Sequence, residues 1–559
     1  MSQQQIINIG AAPNDGLGDP LRTAFEKTNS NFTAAAFGYL ALLSTSTNTK
    51  STAIGKDALS NAYLYNTGYY TYGVHNSAFG YRALAELKTG YRNSAFGAYA
   101  LENSLTGRSN SAFGFEALRY TGGYGGFRNS AFGSRALRNQ TSGSRNNAFG
   151  SLALYNNTTG SFNNAFGIEA LYGNTIGVYN SAFGNYALTS NISGNDNCAF
   201  GVNALKENEY SNSQSAFGKD ALRNAQGSLN YSGLNIANSA FGEGALKNNG
   251  KYGFANSAFG QRALEYNIDG QSNNAFGTFA LRNNTTGSGN NAFGIFALGE
   301  NTSGTGNMAF GSFALASNTD GDDNCAFGEG ALRNLISGNR NSALGKSSMD
   351  VLESGTANVG LGYNAFSIFV TGNRNTGVGY RSFPSLLTGN YNTAIGRYAG
   401  GNLQTGNNNT LLGSSAVASA SYVNNEVTIG DNAVTTLRCN TTTITALSDR
   451  RDKADIQDLD LGLNIIDKVR PVTYKWDKRE WYDNGVSDGT KLDTNIRVGF
   501  IAQELKALME ETNTPHLNLV LENNPEKLEA TPGNLLAPLI KAVQELHVRV
   551  KQLEQKVNV

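Results

Sequence analysis

The chain has 559 residues, with 43 Lys and Arg set against 43 Asp and Glu, so its net charge is zero and binding of a polyanion by bulk charge is not indicated. Glycine is abundant at 66 residues and charged residues are only 15% of the chain, which is not the composition of an average globular domain. No stretch approaches 18 apolar residues, so no membrane insertion is expected, and the opening MSQQQIINIG lacks the basic segment and apolar run of a secretory signal.

The first 50 residues stand apart from the rest of the chain. Pro13-Asn14-Asp15-Gly16 and Gly18-Asp19-Pro20 are turn signals, and Leu21, Phe25, Thr28 and Phe32 form one stripe of a predicted helix. With Asn8-Ile9-Gly10 and Arg22, the segment resembles the amino-terminal motif of many phage structural and tail-fibre proteins. That resemblance implies a virion-facing end that contacts tail or baseplate proteins. Capping of the first coil of a solenoid explains the segment equally well.

From 51 to 413 one cassette, Asn-Ser-Ala-Phe-Gly-x-x-Ala-Leu, recurs with a period of 17 residues. Its apolar residue before the glycine runs from Ile54 through Phe79, Phe96 and Phe113 to Phe327, and continues as Leu344, Leu361, Val378, Ile395, Leu412 and, just past this stretch, Ile429. A period this short predicts a β-solenoid or β-roll, one strand per coil, stacked so that neighbours bury what no single coil can. In an extended Ser77-Ala78-Phe79, Ala78 and Phe79 point to opposite faces. Both recur, so both faces are expected to be buried, one inside the coil and one against a neighbouring chain. Asn and Gly are expected to supply the left-handed turns, and the Ala-Leu pair reads as either strand or helical turn. No proline falls between residues 21 and 383, which suits unbroken ladders. The cassette resembles repeats of tailed-phage tail fibres and, more loosely, the β-roll heads of trimeric autotransporter adhesins.

Insertions interrupt the period. Residues 62–75 hold Tyr63, Tyr65, Tyr69, Tyr70 and Tyr72, an aromatic loop suited to a receptor surface of glycan or protein; Tyr65, Tyr69, Tyr70 and Tyr72 are the receptor-binding candidates. Residues 224–237 form a second insertion, and 414–447, rich in Ser, Thr, Val and Asn, is a candidate distal tip. Cys198 and Cys325 sit seven coils apart, too far for a disulfide within one chain, and read as small buried hydrophobes. His75, His516 and His547 are scattered without metal-ligand spacing, and Gly122–Gly126 lacks the Lys-Ser/Thr of a phosphate loop. No cofactor or metal is expected.

At 448 the repeat stops. Of the 86 charged residues, 35 lie beyond 447, as do both tryptophans, Trp476 and Trp481. Ser448-Asp449-Arg450-Arg451-Asp452-Lys453-Ala454-Asp455-Ile456 fits Ser-Asp-x-Arg-x-Lys-x-x-Ile. It is followed in order by Pro471–Trp476, Val498–Leu505 and Leu539–Leu546. This series resembles the intramolecular chaperone domain that ends endosialidases, many phage tail fibres and the myelin regulatory factors. The resemblance implies autoproteolysis at the bond adjacent to Ser448, with Ser448 as nucleophile, Lys453 as general base, and Asp449 and Arg451 in support. A lysine acts as a base only when burial or neighbouring positive charge favours its neutral form. Arg450 and Arg451 supply such charge while Asp449 and Asp452 oppose it, so the sign stays open. The alternative is that Ser448 or Asp449 merely caps a helix.

Leu536, Leu539, Val543, Leu546, Val550, Leu553 and Val557 are spaced 3-4-3-4-3-4, a coiled-coil seam over 536–557; the chaperone resemblance implies three strands. The expected molecule is a mainly β homotrimer: an attachment segment (1–50), a solenoid stem (51–413), a tip (414–447) and a removable α/β chaperone (448–559). It is expected in the virion as a tail fibre, made in the host cytoplasm, binding a host surface receptor and no nucleic acid, its only enzyme chemistry being one self-cleavage. A tail-spike hydrolase acting on host glycans, or a connector stem holding a separate adhesin, are the competing expectations.

Overall fold

The computed structural model describes residues 51–61, 74–121, 126–225, 237–434, 436–438 and 448–557. The amino-terminal segment, Tyr63, Tyr65, Tyr69, Tyr70, Tyr72 and Cys439 therefore lie outside the described residues. Two compact units divide the chain, Met1–Ala399 and Gly400–Val559.

The first unit is a β-solenoid of 17-residue coils. Each coil contributes one three-residue strand to a common sheet, from Thr52–Ile54 and Ser77–Phe79 to Thr393–Ile395, and from Ser354 each coil adds a second, Ser354–Thr356, Thr371–Asn373 and Thr388–Asn390, which pair in parallel as a second sheet. The strands pair in parallel with an unshifted register: Ala78 lies beside Ala95 and Phe79 beside Phe96. The register survives the insertions, since Ser111 pairs with Ser130 and Ser215 with Ser239. Extra residues are thus placed between strands without cost to the ladder.

One coil, Asn163–Tyr179, shows the construction. Asn163, Ala165, Ala170, Leu171, Asn174 and Gly177 are buried; the rest face outward wholly or in part. The inward set is so small that a coil has no core of its own and is stable only between neighbours. The Ala-Leu pair is neither strand nor helix but a run of turns, in which Leu171 has φ 54° and Glu169 φ 55°. A leucine in left-handed backbone costs roughly 1–2 kcal/mol. Alternating the sign of φ turns successive N–H groups along the stacking axis: Glu169 N donates to Ser151 O on one side and Leu171 N to Ala187 O on the other. Those bonds, and the burial of Ala170 and Leu171 side by side, offset the strain.

The cassette asparagine differs from its expected role in turns. Asn163 is fully buried; its Oδ1 accepts from Asn180 N at 3.0 Å, and its Nδ2 donates to Gly177 O at 2.8 Å. The same bonds repeat from coil to coil as an amide ladder in the core. A second ladder runs beside it, with Asn174 Nδ2 donating to Asn157 Oδ1 at 2.7 Å and Asn191 Nδ2 to Asn174 Oδ1 at 2.7 Å. Buried amides are tolerable because nearly every polar atom finds a partner. The second ladder ends where the next coil carries Ala225 or Leu335, and there the terminal Oδ1 atoms of Asn208 and Asn318 have no partner among the described residues.

The cassette glycine is needed for close approach as well as for its φ. At Gly184 (φ 139°) a Cβ would lie 2.5 Å from the carbonyl oxygen of Gly201. Towards residue 399 the core is refilled with its volume roughly kept. Leu gives way to Phe366 and Phe383, and the inward strand alanine gives way to Gly377, where a Cβ would meet Phe366 Cε2 at 2.5 Å.

The outward residue of the strands is the phenylalanine, which is half-buried. From Phe79 to Phe327 the rings form one stack, with centroids 4.5 Å apart at Phe79–Phe96 and 4.9 Å at Phe200–Phe217. Ala165 and Phe166 do face opposite ways, as alternation requires. Within one chain only the alanine face is closed. Cys198 and Cys325 lie on the phenylalanine face, half-buried rather than in the core, and burial raises both thiol pKa values.

The second unit opens with further coil strands, Thr405–Asn407, Thr410–Leu412 and Val427–Ile429. It then becomes mixed α/β. Val472–Tyr474 pairs antiparallel with Arg497–Gly499, and Val520–Leu521 with Glu529–Ala530. Helix Ala502–Glu511 packs Leu505, Leu508 and Met509 against Leu461, Ile465, Leu517, Leu519 and Leu535. The last helix, Leu536–Val557, follows directly. Among the described residues no helix is long and apolar enough to cross a membrane.

Candidate functional site

Ser448 and Lys453 meet. The intervening Arg450–Asp452 form one 3-10 turn, closed by Lys453 N donating to Arg450 O. The path, with four residues between them, brings the Lys453 Nζ to 2.5 Å from Ser448 Oγ. As an ammonium, Lys453 donates in this contact; when neutral, the same atoms are placed for Nζ to accept the serine proton.

The cap and the nucleophile candidate are different residues. Asp449 is the N-cap, accepting from Arg451 N at 2.9 Å, so Ser448 is free of that role. Asp449 is also gripped by the Arg451 guanidinium, whose Nη2 reaches Oδ2 at 2.6 Å. These side-chain and backbone donors of Arg451 hold the Asp449 carboxyl below its ordinary range, and the carboxylate in turn raises Arg451. The pair is exposed, so it contributes shape more than stability. Ser448 and Lys453 are both exposed in the single chain.

The downstream motifs place the rest. Pro471–Trp476 carries the strand Val472–Tyr474, and Val498–Leu505 spans its partner strand and the start of helix Ala502–Glu511. Arg470 and Glu504 form an ion pair joining these two motifs, which lowers the Glu504 pKa. The final helix is held by one face. Ala542 is buried, and Glu545 Oε2 accepts from Leu463 N at 2.9 Å, where Gly462 leaves room for the carboxylate. Its other face is bare: the seam residues range from 47% exposed at Leu539 to 82% at Val557. Glu545 was not legible as a docking residue because its partner is a backbone N–H 82 residues away.

Among the described residues no cluster of His, Cys, Asp or Glu is arranged to hold a metal. The receptor candidates Tyr65, Tyr69, Tyr70 and Tyr72 fall outside the described residues, as does Leu447, which precedes Ser448.

The peptidase family described as chaperone of endosialidase matches residues 448–514. The match begins at Ser448 itself and takes in the 3-10 turn, both strands of the first antiparallel pair and helix Ala502–Glu511. No curated protein matches the chain.

Proposed function

We propose that the chain is the precursor of a homotrimeric phage tail fibre or spike. Its solenoid is the stem that attaches the virion to a host surface, and its carboxy-terminal domain is a chaperone that assembles three stems and then cuts itself away. The observation that carries this reading is the Ser448–Lys453 contact at the first residue of the chaperone match, downstream of the last coil strand, Val427–Ile429.

Two surfaces support assembly. The helix Leu536–Val557 docks by Ala542 and Glu545 and leaves an entire heptad seam uncovered, which is the geometry of a coiled-coil strand awaiting partners. On the stem, neither outward position of any strand from Thr52–Ile54 to Val427–Ile429 carries a charge, while residues two places past the glycine vary through Arg82, Tyr99, Glu116 and Asn203. An uncharged apolar stripe of one repeating period matches another copy of itself.

The cleavage chemistry follows from the contact. Neutral Lys453 removes the Ser448 hydroxyl proton as Oγ attacks the carbonyl carbon of the 447–448 peptide bond. The proton passes to the amide nitrogen as the C–N bond breaks, leaving an ester between residue 447 and Ser448 Oγ. Water hydrolyses the ester, giving a carboxylate at 447 and free Ser448. Desolvation favours a neutral amine, and Lys453 is exposed in the single chain, so cleavage is coupled to the enclosure that assembly provides.

The test is the mass of the subunit on expression. Wild type should yield a product ending at residue 447. Ser448→Ala and Lys453→Met should remain full length while still sedimenting as trimers. Cleavage persisting in Ser448→Ala would remove the mechanism, and monomeric wild type would remove the fibre reading.

A further inference from the structure

The coils between residues 76 and 179 carry two sets of arginines with opposite surroundings. Arg82, Arg119, Arg135 and Arg138 lie near the Ala-Leu turns and are neutralised. Glu102 takes Arg82 at 2.9 Å and Arg119 at 2.7 Å, and Glu116 takes Arg135 at 3.1 Å and Arg138 at 2.8 Å. Arg92, Arg108, Arg128 and Arg145 lie at the corner just before the strand, one in each of four successive coils. All four are exposed, and none makes an ion pair among the described residues.

This second set alternates with aromatic rings. The Arg108 guanidinium sits 5.1 Å from the Phe127 centroid and its Nη1 lies 3.4 Å from Tyr91 Oη. Arg145 lies 4.9 Å over Phe162, which stacks on Tyr179 at 4.8 Å, and Tyr179 is 55% exposed. The row along the solenoid edge therefore reads Tyr91, Arg108, Phe127, Arg145, Phe162, Tyr179.

Cations repeated on adjacent parallel strands repel one another. The ring contacts relieve this in part, at about 0.5–1 kcal/mol for an exposed pair. Carboxylates are present in the same coils, but they are spent on the other corner. The row thus has an unmet need for negative charge and offers flat apolar faces between its charges.

We infer that the edge formed by Arg92, Arg108, Arg128 and Arg145 with Phe127, Phe162 and Tyr179 is a binding site for a linear carboxylated polysaccharide. Aromatic rings stack on the apolar faces of sugar rings, and guanidinium groups take carboxylates in paired hydrogen bonds. Charge spacing favours this polymer over nucleic acid. Within the row Arg108 and Arg145 stand two coils apart, roughly 10 Å, with Arg92 and Arg128 one chain position beside it, which suits a carboxylate on every sugar or every second sugar, whereas duplex DNA carries a charge every ~1.7 Å. The inference supplies a ligand class for host attachment and rests on that reading for its biological setting only.

The experiment uses the full chain on a biolayer surface with polygalacturonate, hyaluronate and alginate as probes, and with dextran and a thymidine oligonucleotide as controls. Wild type should bind at least one acidic polysaccharide, and its affinity should fall as salt rises. Arg108→Gln/Arg145→Gln should lose at least tenfold, while Arg374→Gln, on another exposed arginine, should bind as wild type. Melting of the double variant should match wild type but no longer rise on adding the bound polysaccharide. No binding to any of the three polymers, equal binding to dextran or the oligonucleotide, or an unaffected double variant would each overturn the site. Attachment is read separately, by whether the wild-type trimer blocks virion adsorption. If the double variant blocks adsorption equally well, the site fails and attachment stands.

Discussion

Single asparagines in the core differ in what they hold, and so in what their loss costs. Asn290 Oδ1 accepts from Asn307 N at 3.0 Å, with no other acceptor for that buried N–H among the described residues. Asn290→Leu leaves it orphaned, at about 1–3 kcal/mol. Asn318 sits at the end of the second ladder. Its Oδ1 is already unpartnered, and the next coil carries Leu335 at the equivalent place. Gly321 O, to which Asn318 Nδ2 donates, keeps Asn307 Nδ2 at 2.7 Å. Asn318→Leu therefore moves the ladder end back to Asn301 without adding an orphan, and should cost less than about 1 kcal/mol. Hydrogen exchange of the 304–310 backbone should accelerate in the first variant and hold near wild type in the second. Equal acceleration in both would show that ladder position does not matter.

At the scale of elements, the chaperone's last helix separates two jobs by face. Ala542 and Glu545 fix it to its own domain, whereas Leu546 belongs to the seam and is 48% exposed. Leu546→Asp should leave the domain folded, because no described intrachain core residue depends on it. A desolvated charge at a seam position should abolish the proposed trimer. If enclosure is what makes Lys453 neutral, the same change should also stop cleavage, although Ser448 and Lys453 are intact. Sedimentation should give a monomer and a denaturing gel the full-length chain. A cleaved monomer would uncouple the two steps, and a trimer would show that the seam is not the interface. The strand behaves in parallel fashion: its alanine makes the coil and its phenylalanine faces away, so the two faces of one three-residue element are open to separate test.

For the molecule as a whole, the period, the strand in each cassette and the change of character at 448 were legible because they repeat or break at fixed spacing. The Ser448–Lys453 pairing was legible only through the motif's resemblance to the chaperone family, since spacing alone left helix capping as the alternative. The asparagine ladder was not: Asn favours turns when judged alone, and only stacking gives its amide a partner one coil away. Left-handed Leu171 was equally hidden, since its strain is offset by bonds to other coils. Nor were Arg92, Arg108, Arg128 and Arg145 visible as a group, because their spacing drifts from the period and folding alone puts them on one edge. The regularity that made the stem easy to read is also its weakness in assembly. Every coil shows neighbours the same uncharged outward strand, so three chains displaced by one coil forfeit only one coil's contacts out of about twenty. Closing three long chains without a fixed end also bears the full entropy of that search. In the proposed trimer a clamp at one end would remove both difficulties, since three seams joined at 536–557 would start the three chains from a common point. Deletion of 448–559 should therefore give stems that aggregate or associate in mixed registers, seen as heterogeneous sedimentation and uneven particle lengths. Supplying the deleted domain as a separate chain should not rescue them, because the clamp acts only through its covalent link to each stem. A monodisperse trimer of uniform length from the truncated chain would mean that the stem carries its own register, in which case the insertions near residues 62, 122 and 226 become the features to test.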